Sequence, residues 1–304
     1  MAAKRRVWVT GSTGFIGSAL SRRWAAERND FELVLLVRKM PENPLENVRY
    51  FMPEGAEFET AELERACENG PPDLVVHLAT RFQNAHTALD AERMLDANVR
   101  FPVRILEACR KLPRLRFINF GTFYSHIDGG DDSPLSYYAA TKRSFESFLN
   151  FYFDRPDWAA STLKVYDSYG PGDTRAKLIP KWIEILRTGE EMKLSPGGQK
   201  LSFVHVDDIV DAAAVAAEAL FSEKASGHRT YQLPACEDPA KFPTLREIAE
   251  TFEKAAGKKL PTRFGAFPYR EKEIMQPRMS FPVLPGWKPK RDLLEGFREV
   301  LTRG

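Results

Sequence analysis

Tyr138 and Lys142 stand four residues apart in Tyr138-Ala139-Ala140-Thr141-Lys142, a spacing that puts a phenol and an ammonium on one helix face. A phenol titrates near 10, so proton exchange near neutrality needs a neighbouring positive charge that favours phenolate. Lys142 can supply it. Tyr137 has no lysine four residues later, which leaves Tyr138 as the candidate proton carrier.

The stretch Arg6 to Leu20 runs from a short apolar strand through Gly11, Gly14 and Gly17 into a segment with helical periodicity. Gly11 permits a tight bend, Gly14 admits a pyrophosphate close to the backbone, and Gly17 lets the helix pack hard on its strand. The helix start offers free amides to phosphates. Thr13, Phe15 and Ile16 fall inside this turn and join the candidate dinucleotide contacts. An NAD-selective fold usually carries an acid at the end of its second strand, but here Leu36-Val37 is followed by Arg38-Lys39. Two cations favour a 2′-phosphate, so the expected cofactor is NADP, with NAD as the alternative.

These residues need a scaffold. Apolar runs at Val7 to Val9, Leu33 to Val37, Leu74 to His77, Arg116 to Phe120 and Leu163 to Tyr166 alternate with helical patterns at Ala61 to Glu68, Met94 to Arg110 and Tyr138 to Phe153. Such alternation predicts an α/β fold, a doubly wound parallel Rossmann sheet with right-handed crossovers. After Tyr169 the texture changes to turns and shorter helices, predicting a smaller discontinuous α/β substrate lobe. The expected division is 1–166 with 202–223 for the dinucleotide domain, and 167–201 with 224–304 for the lobe. Asp207 or Asp208 is expected to cap the helix Ile209 to Leu220.

The 304 residues carry 44 basic and 42 acidic side chains, a balance without the footprint of nucleic-acid or anionic-membrane binding. Lys4-Arg5-Arg6 precedes a strand rather than a long apolar region, so no signal peptide is expected, and no apolar run reaches membrane-spanning length. Cys67, Cys109 and Cys236 have no metal spacing and read as free thiols of a cytoplasmic protein. His205 with Asp207 and Asp208 is read as a strand end and helix cap, with no metal expected.

The spacing G-x-x-G-x-x-G with Tyr-x-x-x-Lys resembles the extended short-chain dehydrogenase/reductases, the epimerase/dehydratase family of nucleotide-sugar enzymes. Asp73-Leu74-Val75-Val76-His77-Leu78-Ala79 resembles the strand whose end passes the cofactor, and Asn98 an asparagine that braces the central helix. Leu163 to Gly172, Val204 to Asp208 and Leu284 to Pro289 resemble later family motifs. The resemblance implies that Lys142 holds the nicotinamide ribose while Tyr138 exchanges a proton with substrate. It also implies cofactor contacts from Leu78, Ala79, Thr80, Asn98 and Tyr166.

The family's third catalytic group is a hydroxyl after the preceding strand, and Thr122 is chosen ahead of Ser125. Thr122 is followed by Phe123-Tyr124 where the family's dehydratases have Asp-Glu, so dehydration is not expected. Asp167 and Leu201 stand where the family often has asparagine and arginine. The combined pattern resembles the abequose-synthase branch, which reduces cytidine-diphosphate 4-keto-deoxysugars. It implies an NADP-dependent 4-ketoreductase with a nucleotide-sugar substrate. Tyr124, Asp167, Lys177, Leu178, Trp182, Lys200 and Arg278 are the candidate substrate contacts. A C4 epimerase with tightly bound NAD and a non-enzymatic cofactor sensor are the competing readings. Pairing of two copies through the helices Met94 to Arg110 and Tyr138 to Phe153 is the possible homodimer.

Overall fold

A computed structural model describes residues 3–83, 86–126, 134–222 and 224–303. The chain runs β1 (Arg5–Thr10), α1 (Phe15–Glu27), β2 (Phe31–Leu36), β3 (Arg49–Phe51), α2 (Thr60–Asn69), β4 (Leu74–His77), α3 (Ala88–Leu95), α4 (Phe101–Cys109), β5 (Leu115–Thr122) and α5 (Tyr137–Tyr152). It continues with β6 (Trp158–Val165), β7 (Asp167–Tyr169), α6 (Leu178–Thr188), β8 (Met192–Lys193), β9 (Phe203–His205), α7 (Val206–Phe221), β10 (Gly227–Leu233), α8 (Leu245–Ala256), β11 (Thr262–Arg263) and α9 (Leu293–Arg303).

Seven strands form one sheet in the order β10-β6-β5-β4-β1-β2-β3, and all its pairings are parallel. The order reverses at β1, so the carboxyl ends of β1 and β4 open a crevice for ligand. Parallel central strands are covered on both faces and therefore carry continuous apolar runs. On one face, Leu20 and Trp24 of α1 and Ile209, Ala213 and Ala216 of α7 pack against Val7, Val9 and Leu163. On the other, Leu63 of α2, Ile105 of α4 and Phe145 and Leu149 of α5 pack against Trp8, Val75 and Phe117. Cys67 and Cys109 meet in this second core with sulfurs 3.6 Å apart as free thiols.

A third apolar cluster lies beyond the sheet, where Trp182 and Ile185 of α6, Ile248 and Phe252 of α8 and Phe297 of α9 surround Tyr169. The paired strands β7–β9 and β8–β11 accompany it. Three sequence expectations are corrected. Gly227–Leu233, assigned to the smaller lobe, is an edge strand of the main sheet. The helix expected from Met94 starts at Ala88 and passes through a π-helical turn at Asp96–Arg100 before α4. Neither Asp207 nor Asp208 caps α7; His205 does, its Nδ1 accepting from the Asp207 amide at 3.2 Å. Among the described residues no helix is long and apolar enough to cross a membrane.

Candidate active site

β1 delivers Thr10 to the crevice, where its hydroxyl pairs with His77 Nδ1 at 2.9 Å and accepts from the Ala79 amide at 3.1 Å. Gly11 then turns at φ 70°, and a Cβ there would lie 2.5 Å from the Ala79 nitrogen. Gly17 faces the Gly11 carbonyl so closely that a side chain would collide with it. Gly14 caps α1 without a side-chain hydrogen bond, leaving the first-turn amides beyond exposed Thr13 and Gly14 for an anion. This side-chain-free cradle at a helix start fits a dinucleotide pyrophosphate. Phe15 and Ile16 are half-buried beside it.

Arg38 and Lys39 are exposed just past the end of β2, the strand paired with β1. Neither makes an ion pair among the described residues. Leu78 and Ala79 are half-buried and Thr80 is exposed, all following β4. His77 itself is fully buried among the rings of Phe101, Phe117 and Phe145. Burial, with the nearby Lys142 charge, holds it neutral well below 6.5, so it buttresses the sheet.

Asn98 projects from the π turn and ties three elements together. Its Oδ1 accepts from the Thr80 hydroxyl at 2.9 Å and the Arg81 amide at 2.7 Å, and its Nδ2 donates to Thr141 Oγ1 at 2.9 Å. Thr141 in turn donates to the Tyr138 carbonyl at 2.8 Å. A π turn shifts one side chain out of helical register, and here that residue braces α5 at the level of Tyr138.

Ser136 opens α5 by accepting from the Ala139 amide, so Tyr138 sits in the first turn, facing the crevice. Its ring meets Phe82 edge-on at 4.9 Å. Burial raises the Tyr138 phenol above 10, while a hydrogen bond with Thr80 and the charge of Arg175 oppose the rise. Arg175, a residue the sequence reading missed, is therefore a cation that acts on the phenol. Lys142 lies one turn deeper and is 1% exposed. Burial pushes its ammonium down to about 8, with Glu146 opposing and Lys164 adding to the fall.

Thr122 ends β5, and its Oγ1 accepts from the Tyr124 amide at 3.3 Å, which leaves its own proton free to donate. Ser125 is fully buried and donates to the Ala139 carbonyl at 3.3 Å. That proton is already committed.

On the substrate side, Tyr124 donates to Asp167 Oδ2 at 2.7 Å. Burial raises the Asp167 carboxyl, opposed by Lys177, Tyr124 and Arg175. Lys177 places its Nζ 4.1 Å from the Phe82 ring centre, and burial lowers its ammonium. Leu178 starts α6 half-buried against the lobe core. Trp182 is corrected: it is 0% exposed, packed on Phe252 at 5.3 Å, and cannot stack on a base. Tyr166 is also buried, stacked on Phe123 at 4.3 Å with its hydroxyl 3.4 Å from Gln232 Oε1. Lys200 donates its Nζ to the Ala240 carbonyl, and Arg278 is exposed in the segment after Tyr269.

His205, Asp207 and Glu299 gather three ligand-type atoms within 4.8 Å. Glu299, from α9, is the third group that local spacing could not reveal. Arg291 already pairs with Asp207 at 3.1 Å and Glu299 at 3.3 Å, placing a guanidinium against the same carboxylates. Asp208 accepts from the Lys290 and Arg291 amides at 3.0 and 3.2 Å, fastening the Pro-rich segment to α7.

The sequence model of the NAD dependent epimerase/dehydratase family matches residues 7–231. A CDP-abequose synthase of Salmonella typhimurium is 28% identical over 306 residues, covering 99% of this chain and 98% of the relative. One from Yersinia pseudotuberculosis is 30% identical over 216 residues, covering 68% of this chain and 71% of its own. Among solved structures, a UDP-glucose 4-epimerase of Thermus thermophilus in complex with NAD superimposes with a TM-score of 0.76. It is 25% identical, with 98% of each chain covered.

Proposed function

Because the chain belongs to the NAD dependent epimerase/dehydratase family, we propose that it is an NADP-dependent reductase of a nucleotide-linked 4-keto-6-deoxy sugar. The observation that carries this reading is Tyr138 at the crevice mouth, braced by Thr80 and Asn98 and kept protonated by burial. A protonated phenol is the form a reductase needs, because reduction of a carbonyl consumes a proton. A relative that matches nearly the whole chain is named for a synthase of a CDP-linked sugar, which supports the same direction. Phe123, stacked on Tyr166, and Tyr124, bonded to Asp167, occupy the positions where a dehydratase would need acids.

The glycine turn and the first residues of α1, Gly11, Thr13, Gly14, Phe15, Ile16 and Gly17, would hold the pyrophosphate, and Arg38 and Lys39 the 2′-phosphate. Leu78, Ala79, Thr80, Asn98, Lys142 and Tyr166 would border the remainder. When bound, the nicotinamide supplies the hydride to C4. Tyr138 donates its proton to the C4 oxygen as charge develops there, and Thr122 donates a hydrogen bond to the same oxygen. Lys142 favours the phenolate that remains. Tyr124, Asp167, Lys177 and Leu178 face the sugar nucleotide, with the lobe around Trp182 as its wall and Arg278 and Lys200 at its rim.

Phe148 and Phe151 on α5 and Leu89 and Leu95 on α3 are exposed, Phe151 to 75%. These rings and aliphatic side chains support pairing of two copies through this helical face, which light scattering tests: a mass of one chain contradicts it.

Thermal-shift measurements with NADPH present and cytidine, uridine, thymidine or guanosine diphosphates test the substrate class. The cytidine form is expected to raise the unfolding temperature most; equal shifts for all four contradict that assignment. Purified protein carrying stoichiometric nicotinamide would favour the epimerase reading, because an epimerase recycles its cofactor whereas a reductase exchanges it.

A further inference from the structure

Lys142 shares its buried environment with an ion pair that the mechanism does not use. Glu146 lies one helical turn beyond it on α5, and Lys164 projects from β6 toward the same helix. Lys142, Glu146 and Lys164 are 1%, 2% and 1% exposed. Lys164 Nζ donates to both carboxylate oxygens of Glu146, at 2.5 and 2.7 Å. Gly121, immediately before Thr122, leaves room for them: a Cβ there would lie 3.1 Å from both Glu146 Oε1 and Lys164 Cδ. The pair thus sits beneath the strand end that carries Thr122 and on the helix that carries Tyr138.

Stability alone does not account for such a pair. Desolvation of two buried ions offsets most of their attraction, and apolar side chains of similar size often serve as well. Its charge has a clearer consequence. Residues one turn apart on a helix are neighbours, and in a dry interior a carboxylate acts strongly on an adjacent ammonium.

We propose that Glu146 and Lys164 are positioning residues that set the charge of Lys142: the carboxylate holds the lysine cationic, and the Lys164 ammonium limits that hold. The assignment rests on the roles given above to Tyr138 and Lys142. The other titratable groups packed around these residues leave Glu146 as the acting anion. Arg143 on α5 stands 3.8 Å from its carboxylate and adds positive charge. His77 on β4 is kept neutral by burial. His228 on β10 is pushed to about 4 by burial, Lys164 and Arg143, and is neutral as well.

The two members act on Lys142 with opposite sign, and that opposition is testable. The readout is the pH dependence of the NADPH dissociation constant, followed by protein fluorescence, together with that of kcat/KM. In the wild type both weaken at high pH as Lys142 loses its proton, and K142M removes that limb from binding. Glu146→Gln moves the limb down by about one pH unit, and Lys164→Met moves it up by a similar amount. Lys164→Arg returns it to within about half a unit of the wild type. Should E146Q unfold, the double variant E146Q/K164M removes both buried charges and still moves the limb down from its place in K164M. Limbs that do not move, or that move the same way in E146Q and K164M while K142M loses its limb, overturn the proposal alone. A K142M protein that binds and turns over like the wild type overturns the parent reading of Lys142 with it.

Discussion

The guanidinium of Arg175 lies 4.3 Å over the ring of Phe15, so a residue from the substrate segment covers the first residue of the dinucleotide helix. Asp173 accepts from its Nε and Nη2, each at 2.7 Å, and the Ser168 carbonyl and hydroxyl accept from Nη2 at 2.9 and 3.1 Å. Nη1 has no partner among the described residues, and the charge of the guanidinium reaches the Tyr138 phenol. Arg175→Ala is expected to weaken NADPH or sugar-nucleotide binding about tenfold, the value of one charge-assisted hydrogen bond. Calorimetric titration of each ligand checks this, and unchanged affinity for both would confine Arg175 to a fold role.

Tyr138→Phe removes one oxygen from the site and leaves the ring on Phe82. Turnover should fall by about 10²- to 10⁴-fold, the usual contribution of a positioned general acid. The NADPH dissociation constant should stay within about threefold, because the phenol is assigned to chemistry rather than holding the cofactor. Steady-state rates and fluorescence titration together decide it. Normal turnover would sink the mechanism.

Lys142 is held for function at the expense of stability. Its ammonium titrates near 8 in the fold and near 10.5 in an open chain, so below about pH 8 the fold carries the penalty of a buried charge. Between those values the unfolded chain binds more protons, and wild-type stability rises with pH. Lys142→Met should therefore be more stable than the wild type by about 1–3 kcal/mol at pH 7. The advantage should shrink as pH climbs through 8 toward 10.5, and denaturant melts across that range measure it. A K142M protein less stable at pH 7 contradicts the assignment of burial as the dominant influence.

Arg38 stands exposed beyond β2 beside the β1 turn. Arg38→Ala should raise the NADPH dissociation constant about tenfold and leave that of NADH unchanged, since only one carries the 2′-phosphate. Equal effects on the two would withdraw the NADP preference.

The parts of this architecture that were legible in sequence are those where local chemistry and local structure coincide. Gly11 and Gly17 announce a turn because no other residue fits against Ala79 and the Gly11 carbonyl. Tyr138 and Lys142 announce a helix face by their spacing. The edge strands were hidden for a physical reason: Arg49–Phe51 is only three residues long and half-buried at most, and Gly227–Leu233 is half-covered, so neither carries the apolar run of a central parallel strand. Trp182 could stand on either face of its helix by sequence, and only the packing of α8 and α9 shows that its face is the buried one. Arg175 and Glu299 act across tertiary contacts, which no spacing along the chain encodes. Lys164 hid inside an apolar strand, its partner eighteen residues earlier.

Reduction of a nucleotide-linked ketone with release of the oxidised cofactor is the activity proposed for this chain. Its most direct test mixes purified protein with NADPH and a cytidine-diphosphate 4-keto-6-deoxy sugar, following nicotinamide absorbance while the sugar products are separated. One NADPH consumed per 4-hydroxy sugar formed, with consumption slowed about a hundredfold or more in the Tyr138→Phe protein, is the predicted result. A sugar inverted at C4 with no net change in nicotinamide, or no reaction with any nucleotide-linked ketone, would contradict it.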